Sequence, residues 1–229
     1  MALLGTGVLA IWNGIKPEAE AEFVAWHVRE HIPERVGLPG FLRGRRYVAR
    51  DGHPKYFNFY ETATSGDLSS AAYQARLNAP TDWTRRVVAH FLDTSRTICD
   101  VAFSLGTGEG GVIEAITFET TWSPQAVSDG LRAALEAALA DIPGLVGVHL
   151  LQGQAAAGQA ATAEKALRGG PDKVAAWILL VEASTAEALQ QFRAGAGADA
   201  ELARHGGAGA IARGIYALQF ALTKAELAR

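Results

Sequence analysis

A chain of 229 residues, 49% hydrophobic and 20% charged, has the composition of an ordinary globular protein of one large or two small domains. A net charge of −3 argues against a nucleic-acid partner, which would call for a basic face, and no apolar run approaches the roughly 18 residues needed to cross a membrane. One cysteine, Cys99, excludes an internal disulfide and, with an N-terminus that lacks a basic, apolar leader, sets the expectation of a cytoplasmic protein.

A first strand is expected over about Gly7–Trp12, closed by the turn pair Asn13-Gly14. Pro17 suits a first helical turn, and Glu18, Glu20 and Glu22 favour its positive end. Phe23, Trp26, His27 and Glu30 follow at helical spacing; Pro33 disfavours helical geometry at Ile32, so this helix is expected to end near His31. Pro39-Gly40 turns the chain into a second strand, about Phe41–Ala49, and Asp51-Gly52 signals a hairpin into Tyr56–Glu61. Helices over Ser65–Leu77 and Trp83–Leu92 precede a last strand, Ile98–Ser104. Gly106–Gly111 reads as a flexible linker. The same order then recurs. Pro124 starts a helix lined by Leu131, Leu135 and Leu139, an insertion near Gln152–Gly170 is expected to be a mobile loop, and Gly195–Gly209 is rich in glycine.

The recurrence is visible residue by residue. Val8-Leu9-Ala10-Ile11 has its counterpart at Val112–Ile116, and Pro39-Gly40-Phe41-Leu42 at Pro143-Gly144-Leu145-Val146, 104 residues on in both cases. Tyr56–Glu61 matches Trp177–Glu182, 121 residues on, and Arg96–Phe103 matches Arg213–Phe220, 117 on. Four anchors in one order indicate a tandem duplication. It divides the chain into a first repeat, 1–105, a glycine-rich linker, 106–111, and a second repeat, 112–229, with its hairpin insertion near 152–170. Each repeat reads βαββαβ, which gives a four-stranded antiparallel sheet with both helices on one face. The fold class is therefore α+β: two tandem ferredoxin-like units packed sheet to sheet as a single-chain barrel.

The residues Trp26-His27, Glu30-His31-Ile32-Pro33 and Leu38-Pro39-Gly40-Phe41, ahead of Arg45-Arg46-Tyr47, make Val8–Phe103 resemble the dimeric α+β barrel superfamily, most closely its EthD-like branch. The second repeat resembles only the scaffold. The resemblance implies a histidine such as His31 at the mouth of a barrel cavity. It also implies one of several chemistries: cofactor-free isomerases, cyclases and lyases, small monooxygenases, or haem enzymes. The fold leaves the reaction open.

His27-Val28-Arg29-Glu30-His31 spells H-x-x-E-H, which on a long helix could grip zinc. Pro33 interrupts that helix, and no metal is expected. His27 reads either as part of a site or as a helix residue bonded to a backbone carbonyl. His31 is the candidate acid or base, its pKa expected to be raised at a helix C-terminus, with a simple helix cap as the alternative. Strand alternation separates Phe57 and Phe59 from Tyr56, Asn58 and Tyr60, and Cys99, Val101 and Phe103 from Ile98 and Asp100. The apolar sets are expected under the helices and the mixed sets in the cavity between the sheets, which makes Tyr60 and Asp100 catalytic candidates and Asn58 a binding one. Asp100 could equally pair with Arg45 or Arg46. Arg43 and Arg45, on one face with Tyr47, together with Trp12, are candidates for holding a substrate carboxylate or enolate; the alternative for the arginines is a solvated sheet edge. His53 is expected to be exposed in its turn, and His90 is a minor candidate. Leu131 and Leu135 replace His27 and His31 in the second repeat, so an equivalent second site is not expected.

These residues point to a cofactor-free enzyme moving a proton on a small, partly apolar, anionic or phenolic substrate, by isomerase, cyclase or lyase chemistry. The alternatives are a non-catalytic small-ligand-binding or interaction protein on the same scaffold, and a haem-dependent or oxygen-using enzyme with His31 or His90 as axial ligand. The expected partner is a small molecule, bound by a monomer with an internal pseudo-dimer or by a dimer of such chains.

Overall fold

The computed structural model describes residues 3–155, 157, 161–168 and 173–228. The first half runs β1 (Gly7–Ile15), α1 (Glu20–Trp26), α2 (Ile32–Gly37), β2 (Phe41–Asp51), β3 (Tyr56–Thr62), α3 (Ala71–Asn78), α4 (Asp82–Val88) and β4 (Phe91–Gly106). The second runs β5 (Val112–Phe118), α5 (Pro124–Asp141), β6 (Leu145–Gly153), α6 (Ala163–Leu167), β7 (Trp177–Ala183), α7 (Ala186–Ala194), α8 (Asp199–Gly206), β8 (Ile211–Thr223) and α9 (Lys224–Leu227).

All eight strands close into one antiparallel barrel in the order β1-β3-β2-β8-β5-β7-β6-β4. Within it each half keeps the ferredoxin-like order, β4-β1-β3-β2 and β8-β5-β7-β6. The seams are β2 with β8, where Gly44 faces Leu222, and β4 with β6, where Ser104 faces His149. Closure leaves no sheet edge to the solvent. Helices cover the outside. No helix among the described residues is long and apolar enough to cross a membrane.

The barrel interior is a layer of Val8, Ala10, Trp12, Tyr47, Phe57, Phe59 and Cys99 from the first half against Ile113, Ala115, Leu151, Ile178, Leu180 and Tyr216 from the second. This inverts the expected faces. Phe57, Phe59 and Cys99 point into the barrel, while Tyr60 and Ile98 pack under α2 and α3, and Tyr56 under α1 and α4. Both faces of β1 and β3, and of the middle of β4, are buried, so polarity could not label them, and the larger apolar set filled the interior common to both sheets.

Four further expectations change. The helix does not end at His31. Residues His27–His31 form a wide turn in which the Ile32 N–H reaches back five residues to the His27 carbonyl, and α2 continues to Gly37 with Pro33 in its first turn. The extra residue in the turn accommodates a proline that cannot donate and would clash in a regular helix. The last strand of the first half begins at Phe91, so Leu92 is strand rather than helix. The Gly106–Gly111 linker is pinned: the Gly110 N–H donates to Glu182 and the Gly111 carbonyl accepts from Leu218. Of the insertion expected as a mobile loop, residues 156, 158–160 and 169–170 lie outside the described residues, and Ala163–Leu167 is a helix.

Candidate active site

The outer face of the first half is where titratable side chains gather around a cavity. β1 contributes Asn13 and β3 contributes Asn58 and Tyr60, because positions on one face of paired strands fall side by side: Leu9 is opposite Tyr60 and Ile11 opposite Asn58. Gly44 on β2, opposite Tyr60, is what lets that ring lie flat across the sheet; a Cβ there would come within 2.9 Å of the ring. The wide turn and α2 supply His27, His31 and Arg35 from above, and β4 supplies Arg96. These residues line a cavity of about 50 Å³ together with Leu9, Ile11, Trp26, Phe91 and residues of α6.

The two imidazoles stack, with ring centres 5.3 Å apart and planes 18° from parallel. Phe23 stacks on His27 at 5.2 Å, and Trp26 lies 4.2 Å from His31. The His31 ring meets Tyr60 edge-on at 6.4 Å. His27 Nδ1, His31 Nδ1, Asn58 Oδ1 and the Tyr60 hydroxyl are buried and have no hydrogen-bond partner among the described residues. Asn58 is oriented by a 2.9 Å bond from its amide to Asn13 Oδ1. Arg35 is 2% exposed and pairs with Glu34 at 2.8 Å and with Glu164.

Burial pushes both histidines well below the usual imidazole range, helped at His27 by Arg46 and at His31 by Arg35. This reverses the expected upward shift at His31. The helix end that would have supplied the favourable dipole is absent, and a dry site beside a guanidinium opposes a second positive charge. Burial also raises the Tyr60 phenol, which stays protonated and can donate. Glu30 is not free to serve a metal-bound water: its Oε1 accepts from Thr81 at 2.6 Å and from Thr84 and Trp26 at 3.2 Å. Among the described residues no three His, Cys, Asp or Glu side chains converge on one point.

The remaining sequence candidates lie elsewhere. Arg43, Arg45 and Tyr47 point into the barrel and neither line this cavity nor sit at a solvated edge. Arg43 forms a fork on Glu61 at 2.7 and 2.9 Å and also pairs with Glu109. Arg45 lies 2.9 Å from both Glu182 oxygens and 3.1 Å from Glu61, and stacks over Phe59. A guanidinium on a strand facing a closed barrel must find carboxylates, and the equivalent glutamates of the two halves supply them. Asp100 faces outward and accepts from Gln154 at 2.5 Å; it pairs with neither Arg45 nor Arg46, because Arg45 points to the opposite face and Arg46 donates to the Val24 carbonyl. His53 is exposed, 3.2 Å from Asp93, and the half-buried His90 lies in the turn after α4.

Trp12 stacks on Phe57 at 4.6 Å and borders a different, larger cavity of about 380 Å³, beside Ala115, Phe118 and Tyr216. Of the charged residues there, Glu119 and Lys173 are exposed and Arg213 is taken up by the buried Glu114 at 3.2 Å and by Asp199, so the smaller cavity, with its unpartnered buried groups, is the candidate site. The matching region of the second half is solid: Leu131, Leu135, Leu179 and Val181 stand where His27, His31, Asn58 and Tyr60 stand in the first, in one apolar cluster.

Sequence reasoning missed Asn13, Arg35, Tyr73, Arg96 and Glu164. Arg35 sits four residues after His31, on its helical face, and was hidden by reading Pro33 as a terminator. Arg96 continues the alternation of Ile98 and Asp100 in a strand taken to be shorter. Nothing local signals Glu164, which lies 129 residues from Arg35.

No family model matches the chain, and no curated protein does. Solved structures share its fold. An anthrone oxidase-like protein superposes with a TM-score of 0.62 at 16% identity, over 96% of this chain and 94% of its own. A candidate monooxygenase of Fusobacterium nucleatum subsp. nucleatum gives 0.61 at 9% identity, over 97% and 96%. A chlorite dismutase variant of Candidatus Nitrospira defluvii gives 0.56 at 10%, over 94% and 91%. At these identities the likeness establishes the ferredoxin-like α+β barrel and nothing of the reaction.

Proposed function

We propose that the chain is a cofactor-independent enzyme that takes a proton from an activated C–H or O–H group of a small, partly apolar cyclic substrate. The observation that carries this is the set of four buried polar atoms, on His27, His31, Asn58 and Tyr60, that share one cavity and have no protein partner. Buried polar groups in proteins are as a rule hydrogen-bonded, so four unpartnered ones around one cavity suit a ligand's own donors and acceptors. His31 is the base: kept neutral, its imidazole can accept a proton at neutral pH. Tyr60, kept protonated, donates to the oxyanion that develops as the proton leaves. Asn58, held by Asn13, orients the substrate, and His27 fixes the plane of His31 by stacking.

A second reading, oxygen use, is favoured by the fold neighbours named as anthrone oxidase-like and as a candidate monooxygenase. Removal of the proton leaves a carbanion that can reduce dioxygen without a cofactor; for anthrone the overall change with O2 is to anthraquinone and water. Haem has no specific observation in its favour: a neutral His31 could act as an axial ligand, but no step is assigned to it.

Anthrone in D2O without oxygen separates the readings. Wild-type protein should speed deuterium entry at the activated carbon above buffer, and in air anthraquinone should form only if the oxygen reading is right. His31→Ala should lower the exchange rate by roughly 10²-fold, the usual size of a lost general base. It is to be assayed as folded protein, because deleting a buried ring costs about 2–5 kcal/mol. His53→Ala, in an exposed turn, should change neither. A His31→Ala variant as fast as wild type removes the assignment. So does a wild type without effect on a panel of activated phenols and cyclic ketones, each with and without a carboxylate, which would leave a non-catalytic binding protein.

A further inference from the structure

Two buried guanidiniums, Arg35 and Arg96, line the cavity, and the one carboxylate among its described lining residues is Glu164. Arg96 is 9% exposed, donates to the Tyr73 hydroxyl at 3.1 Å, and makes no ion pair among the described residues. Glu34 is shared between Arg35 and Arg76. A buried guanidinium without a counter-charge is costly.

The one carboxylate comes from the other half. The β2–β3 connection of the first half has four residues, 52–55, whereas the equivalent β6–β7 connection has 23, 154–176. The extra length carries α6 across to α3 and α4 of the first half and lays Glu164, 4% exposed, on Arg35. α6 is an addition that neither sheet needs. It is five residues long, too short to be stable alone, and depends on its contacts: Thr162 caps it, the Ala163 N–H donates to Asn78 at 3.1 Å, Leu167 touches the Trp26 cluster, Glu164 pairs with Arg35, and Lys165 and Arg168 have partners of their own. With α6 in place the cavity is too small for anything beyond a few waters, so a substrate enters only by displacing part of the lining.

Building on the active-site reading above, we propose that the substrate carries a carboxylate, that this group replaces Glu164 on Arg35, and that α6 is the lid exchanged for it. Glu164 acts as an internal stand-in for the substrate's acid group. The apolar lining from Leu9, Ile11, Trp26 and Phe91 receives the rest of the molecule, which makes the class a small aromatic or alicyclic carboxylate. Arg35 recognises the group by two parallel bonds, and Arg96 adds charge nearby.

Benzoate and its neutral relative benzamide are the probes, with affinity read by calorimetry and by competition in the proton-exchange assay. Wild-type protein should prefer benzoate. Glu164→Gln removes the internal competitor while Glu34 still neutralises Arg35, and should tighten benzoate about tenfold and leave benzamide unchanged. Arg35→Gln with Glu164→Gln, which leaves neither charge of the pair buried alone, should bind the two probes equally. Benzoate should also speed hydrogen exchange of the backbone amides in 163–167. Equal or weaker benzoate binding by Glu164→Gln, or unchanged exchange at α6, overturns the proposal and makes Arg35–Glu164 a fixed structural pair. Proton-exchange activity that depends on His31 but is untouched by benzoate also overturns it, and leaves the active-site reading standing.

Discussion

His27 and His31 are buried bases whose environment opposes their charge, and that has a consequence for stability. Burial first, and then Arg46 or Arg35, hold their folded pKa values well below the ordinary 6.5. In the unfolded chain they take up protons near pH 6.5; in the folded one they do not until the pH is much lower. The unfolded state therefore binds more protons as the pH drops, and stability present above about pH 6.5 is lost below it. The melting temperature should begin to fall between about pH 7 and 5. The variant His27→Leu with His31→Leu, which copies Leu131 and Leu135 of the second half, should flatten that part of the profile. A profile with the same slope in both proteins would mean that the histidines titrate freely. A second loss is expected at lower pH from Glu182. Burial pushes its carboxyl up, but the contact with His149 and the charge of Arg45 outweigh burial and bring it down to about 2. Its contribution is present above the ordinary carboxylate range near 4.5 and disappears as the pH falls toward 2.

The strands carry the same division of labour. Alternate positions of β2 serve two compartments: Arg43, Arg45 and Tyr47 enter the barrel, while Gly44 and Arg46 meet the helices. The inward arginines join the halves, because Arg45 pairs with Glu61 of its own half and Glu182 of the other, and His149, at the position matching Arg45, lies 3.3 Å from Glu182. Glu182→Ala would leave part of the Arg45 charge and the buried Gly110 N–H without a partner. Such a break typically costs about 3–5 kcal/mol, to be read from urea unfolding. Replacing both partners with apolar residues, Arg45→Met with Glu182→Leu, should cost markedly less. Equal losses would show that the network contributes little beyond packing.

Across the whole molecule the two halves are not equivalent and not separable. Residues 1–105 alone would expose Trp12, Phe57, Phe59 and Cys99, now in the barrel interior, and two unpaired strand edges, on β2 and β4. Expressed alone, that piece should self-associate or aggregate, as judged by gel filtration with light scattering. A well-folded monomer would contradict the view that each half completes the other. The second half gave up polar groups for a solid core around Leu131, Leu135, Leu179 and Val181, and supplies α6 to the first half's cavity.

Some of this was determined by the sequence alone. The paired anchors at 104, 117 and 121 residues and the order of strand and turn signals carry the barrel, because covalent order and hydrophobic period are local properties. The asymmetry was also legible, since leucines stand at 131 and 135 where histidines stand at 27 and 31. His27, His31, Asn58 and Tyr60 line one cavity, but on the outer side of the sheet and not between the sheets, where the sequence reading puts the strand residues. Alternation separates two faces without naming them, and with both faces buried only the packing of one sheet against the other decides which is inside. Tertiary structure alone sent Arg43, Arg45 and Tyr47 into the barrel, Asp100 to Gln154 and Trp12 to another cavity, because each partner lies on a different strand or segment. It also lowered the His31 pKa, since burial and Arg35 depend on neighbours that a helix-end argument cannot see. Glu164 is the extreme case: a carboxylate 129 residues away, in an insertion without periodic pattern, meets Arg35 only because the closed barrel sets the second half's hairpin beside the first half's helices.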